Sequence, residues 1–86
     1  MTPMNENEIL TRINVVFNRL FPGVRDSVTR LTNMNDVDGW NSLNHLKLIL
    51  MLEDEFNVKI KARESVSLTS VSKIMELIAS KTGTAV

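Results

Sequence analysis

Ser42 is the residue whose chemistry and position stand out. It closes a polar stretch, Asp36-Val37-Asp38-Gly39-Trp40-Asn41, and opens a strongly apolar run from Leu43 to Phe56. A hydroxyl at the mouth of a helix lies beside backbone N–H groups that lack intrahelical partners, at the positive end of the helix dipole. The same position also describes a plain helix cap, with Asn41 or Ser42 accepting from a first-turn N–H, a contribution of about 1 kcal/mol. One turn later comes His45, the one histidine of the chain. As a general base it needs an oriented partner and a substrate pocket. Its helical position instead predicts a half-buried packing histidine, hydrogen-bonded to a loop carbonyl. No cysteine is present, and neither paired carboxylates nor a glycine-rich phosphate loop is recognisable. Asp36-Val37-Asp38 lacks the full oxygen-ligand pattern and the distal bidentate glutamate of a calcium loop. These residues do not describe an enzyme with its own active site.

The helix that follows Ser42 has to position it. Leu, Met, Glu and Lys are good helix formers, and no Gly or Pro interrupts them before Phe56. At about 100° per residue, His45, Leu48, Ile49, Leu52 and Phe56 share one side, enough for a core stripe. Leu43, Leu46 and Leu50 gather on a different side, next to Ser42, with Glu53 and Asp54 at its border. The second stripe is surplus to a core and adjoins a hydroxyl: either the helix is central and buried all round, or this stripe meets something outside the bundle.

The remaining elements can be placed around this helix. Asn5 or Asn7 caps a first helix whose positive end suits Glu6 and Glu8. Ile9, Leu10, Ile13, Val16, Phe17 and Leu20 recur at helical spacing, and Pro22-Gly23 stops the helix near Phe21. A long connection spans 24–41, with one turn of helix expected over Arg25 to Leu31 and turn formers from Thr32 to Gly39. Val28, Leu31, Met34 and Val37 are expected to pin it to the core, and Trp40 to pin its end over the bundle. A loop this long in a small domain is often functional. Asn57 ends the central helix, Val58 and Ile60 flank a short extended piece, and one irregular helical turn follows over Ala62 to Val66. Thr69-Ser70 caps a last helix with Val71, Ile74, Met75 and Ile78 inside and Leu77 at the margin. Lys81 suits its negative end, and Gly83 stops it. The ends, 1–5 and 83–86, are expected to be loose. The reading is all-α: a small four-helix bundle with a long loop between helices 1 and 2 and a short third helix, forming a single domain over 1–86.

Composition narrows the class. The chain has 86 residues, with 10 Lys plus Arg against 10 Asp plus Glu, for a formal net charge of zero. Zero charge argues against nucleic acid as a partner, because phosphate binding usually shows as a basic excess. Without cysteine there are no disulfides or thiolate metal sites. No run reaches membrane-span length, and the polar, acidic N-terminus does not resemble a signal peptide. The expected location is cytoplasmic.

Ser-Leu after an Asn, with Gly39-Trp40 before it and Leu52-Glu53-Asp54-Glu55-Phe56 closing the helix, resembles the acyl carrier proteins. Trp before Asn-Ser-Leu and His three residues after the serine resembles a subgroup of stand-alone carriers, and the likeness covers roughly Glu8 to Thr82. The resemblance implies that Ser42 bears a 4′-phosphopantetheine arm taken from coenzyme A by a phosphopantetheinyl transferase. It implies an acyl or aminoacyl thioester on that arm, presented to a loading enzyme and an acyltransferase or synthase, with the chain itself a non-enzymatic monomer. It also implies a docking face formed by Asn41, Leu43, Leu46, Leu50, Glu53 and Asp54. Two departures matter. The usual Asp before the serine is Asn41, and where fatty-acid carriers are strongly acidic, Asn44, His45 and Lys47 follow the serine and Ala62-Arg63 occupy the region after Ile60, acid returning only at Glu53, Asp54 and Glu55. Charge complementarity sets partner choice and on-rate more than affinity. These departures imply partners other than the strongly basic enzymes of bulk fatty-acid synthesis, hence a specialised pathway. Asn41 also leaves open an unmodified interaction module of the same fold.

Overall fold

The computed structural model describes residues 4–22 and 28–83. Its elements are α1 (Glu6–Leu20), a 3₁₀ turn (Met34–Asp36), α2 (Ser42–Phe56), α3 (Ala62–Ser65) and α4 (Val71–Thr82). Each of the three long helices is capped by a side chain from its own sequence. The Oδ1 of Asn5 accepts from Glu8 N–H at 2.8 Å. The Oδ1 of Asn41 accepts from Asn44 N–H at 2.9 Å. The Oγ of Ser70 accepts from Lys73 N–H at 3.3 Å. The stops are equally local. Asn57 takes the left-handed conformation at φ 53° after α2, and Gly83 does so at φ 76° after α4.

α1 packs against both α2 and α4. Ile9, Ile13, Val16 and Phe17 of α1 meet Leu48, Ile49, Leu52 and Phe56 of α2 and Val71, Ile74, Met75 and Ile78 of α4 in one buried cluster. Leu77 lies partly buried at its margin, as expected, and so do Leu10 and Leu20, which the spacing places with the core stripe of α1. Among the described residues there is no strand, only an isolated pairing between Asn33 and Ser70.

The described part of the long connection is held at Val28, through its middle and at its approach to α2. Asn14, in the middle of α1, donates from Nδ2 to Val28 C=O at 3.2 Å and accepts from Val28 N–H at 2.7 Å. Met34 N–H bonds Thr69 C=O at 2.8 Å, and Val71 N–H bonds Thr32 C=O at 2.9 Å, so the loop is stitched to the approach of α4. Arg30 pairs with Glu6 on α1. Val28 and Val37 are buried and Met34 packs against the core.

Two expectations are corrected. Leu31 does not pin the loop, since it is 82% exposed. It lies in the turn closed by Thr32 N–H on Thr29 C=O at 3.0 Å, which turns its side chain outward. Residues 28–31 run irregularly into a turn rather than forming a helical turn, and the rest of that expected turn lies outside the described residues. Much of the expected looseness at the two ends also falls outside the described residues. Asp36 serves the loop itself, its carboxylate accepting from Asn33 N–H at 2.9 Å.

Candidate functional site

Ser42 is the first residue of α2 and is exposed. The cap belongs to Asn41, which the sequence left open between the two residues. Asn41 caps with both its atoms: Oδ1 takes Asn44 N–H, and its carbonyl takes His45 N–H at 2.7 Å. The Ser42 hydroxyl is therefore spared from capping, and it takes part in no hydrogen bond among the described residues. The N–H groups of Ser42 and Leu43 likewise have no acceptor among the described residues, as expected for first-turn donors.

The approach to the serine is stiffened by backbone and rings. Gly39 has φ +87°, a conformation that side chains resist, while the space around it is ordinary. Its carbonyl accepts from Asn44 Nδ2 at 2.7 Å, tying the loop to the first turn of α2. Trp40 then turns inward. Its ring meets Phe17 edge-on at 5.2 Å and lies 6.2 Å from Phe21. Edge-to-face aromatic pairs of this kind add about 0.5–1.5 kcal/mol beyond burial.

His45 is the link between this loop and α3. Trp40 Nε1–H donates to His45 Nδ1 at 2.9 Å, and His45 Nε2 lies 2.7 Å from Ser65 C=O. The indole nitrogen only donates, so Nδ1 must accept. The proton consequently sits on Nε2, which donates to the Ser65 carbonyl. Both ring nitrogens are consumed by structure, and the half-buried packing histidine expected from the sequence is what the fold contains. The Trp40 partnership was not legible, because it depends on the turn at Gly39.

The two stripes of α2 separate as the wheel predicts. Leu48, Ile49, Leu52 and Phe56 are buried, whereas Leu43, Leu46 and Leu50 are 65%, 59% and 57% exposed. Asp54 is exposed beside them. Glu53 is half-buried, and its carboxylate accepts from Ile60 N–H at 2.9 Å, closing the turn after α2. Glu55 faces the other way, paired with Arg12 of α1 at 3.0 Å, and the Arg12 guanidinium lies over the Phe56 ring at 5.5 Å.

α3 is short, and side-chain contacts hold it. Glu64 accepts from Lys61 N–H at 2.8 Å and pairs with Lys81 of α4 at 3.1 Å. The Lys61 N–H first, then the Lys81 ammonium, hold its carboxyl below the ordinary glutamate range. Ile60 bonds Glu53 while Ser65 bonds His45, so 60–66 runs antiparallel along one edge of α2. Sequence reading noted the charge of Ala62-Arg63 but did not place this edge along α2. It contributes Val66, 72% exposed, close to the end of α2 that carries Ser42. The described residues contain no group of three or more His, Cys, Asp or Glu that could hold a metal ion, and none of their helices is long and apolar enough to cross a membrane.

The described residues thus form a short helical bundle with an exposed serine at the mouth of its second long helix and an apolar stripe beside it. No family model matches the sequence. An acyl carrier protein of Lactobacillus acidophilus is 36% identical over 81 residues, covering 93% of this chain and 100% of that protein. An acyl carrier protein of Lactobacillus johnsonii is 32% identical over 78 residues, covering 90% and 96%. The solution structure of a holo acyl carrier protein from Geobacter metallireducens superposes with a TM-score of 0.76 at 32% identity, covering 85% of this chain and 84% of that one. The chain belongs to the acyl carrier protein family, and its general role is that of a carrier.

Proposed function

We propose that Ser42 carries a 4′-phosphopantetheine arm, transferred from coenzyme A by a phosphopantetheinyl transferase, and that the chain works as one monomeric carrier domain of the cytoplasm. The observation that supports this most is the exposed, uncommitted Ser42 hydroxyl at the first position of α2, in a chain with acyl carrier relatives. The residues present fit the group. The N–H groups of Ser42 and Leu43 are the donors that would face its phosphodiester, favoured further by the helix dipole. Asn41 places no carboxylate next to that anion. The arm supplies a terminal thiol, on which an acyl or aminoacyl group is held as a thioester.

The chain's own residues supply rigidity and recognition. The Asn41 cap, the Gly39 turn and the Trp40–His45–Ser65 hydrogen bonds hold the backbone on either side of Ser42 in place. Asn41, Leu43, Leu46 and Leu50 form the face offered to the transferase, the loading enzyme and the acyltransferase or synthase. Asp54 borders it freely, and Glu53 adds charge from a held position. A few exposed leucines are enough to anchor a modest, transient interface. Lys47 and Asn44 in the first turns of α2 support a specialised pathway rather than bulk fatty-acid synthesis.

One observation favours a second reading, a carrier fold used without its arm: Asn41 stands where the family usually has Asp. In-cell replacement separates the two. Ser42→Ala is expected to reproduce the phenotype of deleting the protein while leaving its circular dichroism and melting temperature unchanged. A Ser42→Ala strain that behaves as wild type, where deletion has a phenotype, would establish the unmodified module.

A further inference from the structure

The charges around the exposed α2 stripe differ in how far the fold has already used them. Each glutamate in the region has a partner within the molecule. Glu53 holds Ile60 N–H, Glu55 pairs with Arg12, and Glu64 is taken by Lys61 N–H and Lys81. The cations are not used in this way. Lys47 on α2, and Lys61 and Arg63 on the α3 edge, are all exposed, and none has a contact ion pair among the described residues, the Lys61 ammonium acting on Glu64 only through space and less than the Lys81 ammonium does.

Their placement follows from the antiparallel run of 60–66 beside α2. Ile60 lies at Glu53 and Ser65 at His45, so Lys61 borders the far half of the stripe and Arg63 its middle. On the wheel of α2, Lys47 falls on the opposite border, beside Leu43 and Leu50. Val66 extends the apolar surface towards Ser42. Leu43, Leu46, Leu50 and Val66 thus form an apolar strip with unpaired cations on both sides and Asp54 as its free carboxylate.

Building on the carrier reading above, we propose that the enzymes this carrier serves meet the α2–α3 face with an apolar depression rimmed by carboxylates. Lys61 and Arg63 are the specificity-determining charges. Unpaired surface cations beside an apolar contact favour a partner of opposite sign through steering and registry, and like charge is penalised. Lys61 borders the far half of the strip and Arg63 its middle, so neither sits directly against a phosphodiester at Ser42.

Two synthetic helical peptides test this directly. They share one leucine face, bordered by glutamates in one and by lysines in the other. Each is titrated into uniformly ¹⁵N-labelled full-length protein, followed by amide spectra. The glutamate-rimmed peptide is expected to shift Leu43, Leu46, Leu50 and Val66, and to bind at least about threefold more tightly than the lysine-rimmed one at low salt. The preference should shrink above about 0.1 M salt, where screening acts within roughly 10 Å. The double variant Lys61→Glu/Arg63→Glu should reverse the preference, with Lys47→Glu weakening it as an independent check. Equal binding, preference for lysine, no shift at this face, or an unchanged preference in the double variant would overturn the proposal. None of these outcomes depends on modification of Ser42, so the charge inference and the carrier reading fail separately.

Discussion

At the scale of single residues, the site rests on a division of labour between neighbours. Asn41 takes the capping duty, which leaves Ser42 exposed and uncommitted. Asn41→Ala should cost about 1 kcal/mol, the usual value of an N-cap. For a domain of this size that is a fall of roughly 4–8 °C in melting temperature. Asn41→Asp should leave the melt nearly unchanged, because Asn and Asp cap about equally well. A loss in Asn41→Asp as large as in Asn41→Ala would contradict the assignment of the cap. His45 gives a second test at this scale. Its hydrogen bonds require the Nε2–H tautomer, which ¹⁵N chemical shifts of the neutral ring report directly. The Nδ1–H form would refute the Trp40 bond. Sequence showed that His45 belonged to structure, because its helical position fell on the core stripe. It could not show which atoms it would bind, because both partners lie beyond α2: Trp40 before it, and Ser65 on α3.

At the scale of elements, the two faces of α2 were readable because helical periodicity converts spacing into direction. Leu46→Glu should leave stability within about 0.5 kcal/mol of wild type, as for other exposed positions. Leu52→Glu buries a charge without a partner in the core and should unfold the domain. Paired thermal melts check this, and similar losses in both variants would mean that the stripe is packed. The loop was less legible, since its anchors are not periodic. Leu31 belongs to an exposed turn, while Asn14, a polar residue within α1, carries the bonds that hold Val28. A polar side chain next to a core stripe was the available signal. For α3, the depressed carboxyl of Glu64 gives a pH test. Its folded form binds a proton less readily than its unfolded form, so the stability it adds is complete above the unfolded carboxyl range. That stability is lost as pH falls through the folded value. The melting-temperature gap between wild type and Glu64→Gln should therefore be full at neutral pH and close in acid. A gap that persists unchanged in acid would show that the Lys61 N–H and Lys81 contacts do not act through the carboxylate.

At the scale of the whole molecule, three capped helices, a short α3 edge and a stitched loop hold one serine at the surface. Zero net charge concealed the local pattern, because carboxylates consumed inside the fold and cations left outside cancel in a sum. The carrier architecture was legible from Gly39-Trp40-Asn41-Ser42-Leu43 together with the helix pattern, and the relatives place the chain in that family. The central claim is that Ser42 is the attachment point. Intact mass tests it most directly, recorded before and after incubation with coenzyme A, magnesium and a broad-specificity phosphopantetheinyl transferase, alongside Ser42→Ala. The account predicts a gain of one phosphopantetheine in the wild type and none in the variant. A gain that persists in Ser42→Ala, or protein from its own cell that never carries the arm, would contradict it.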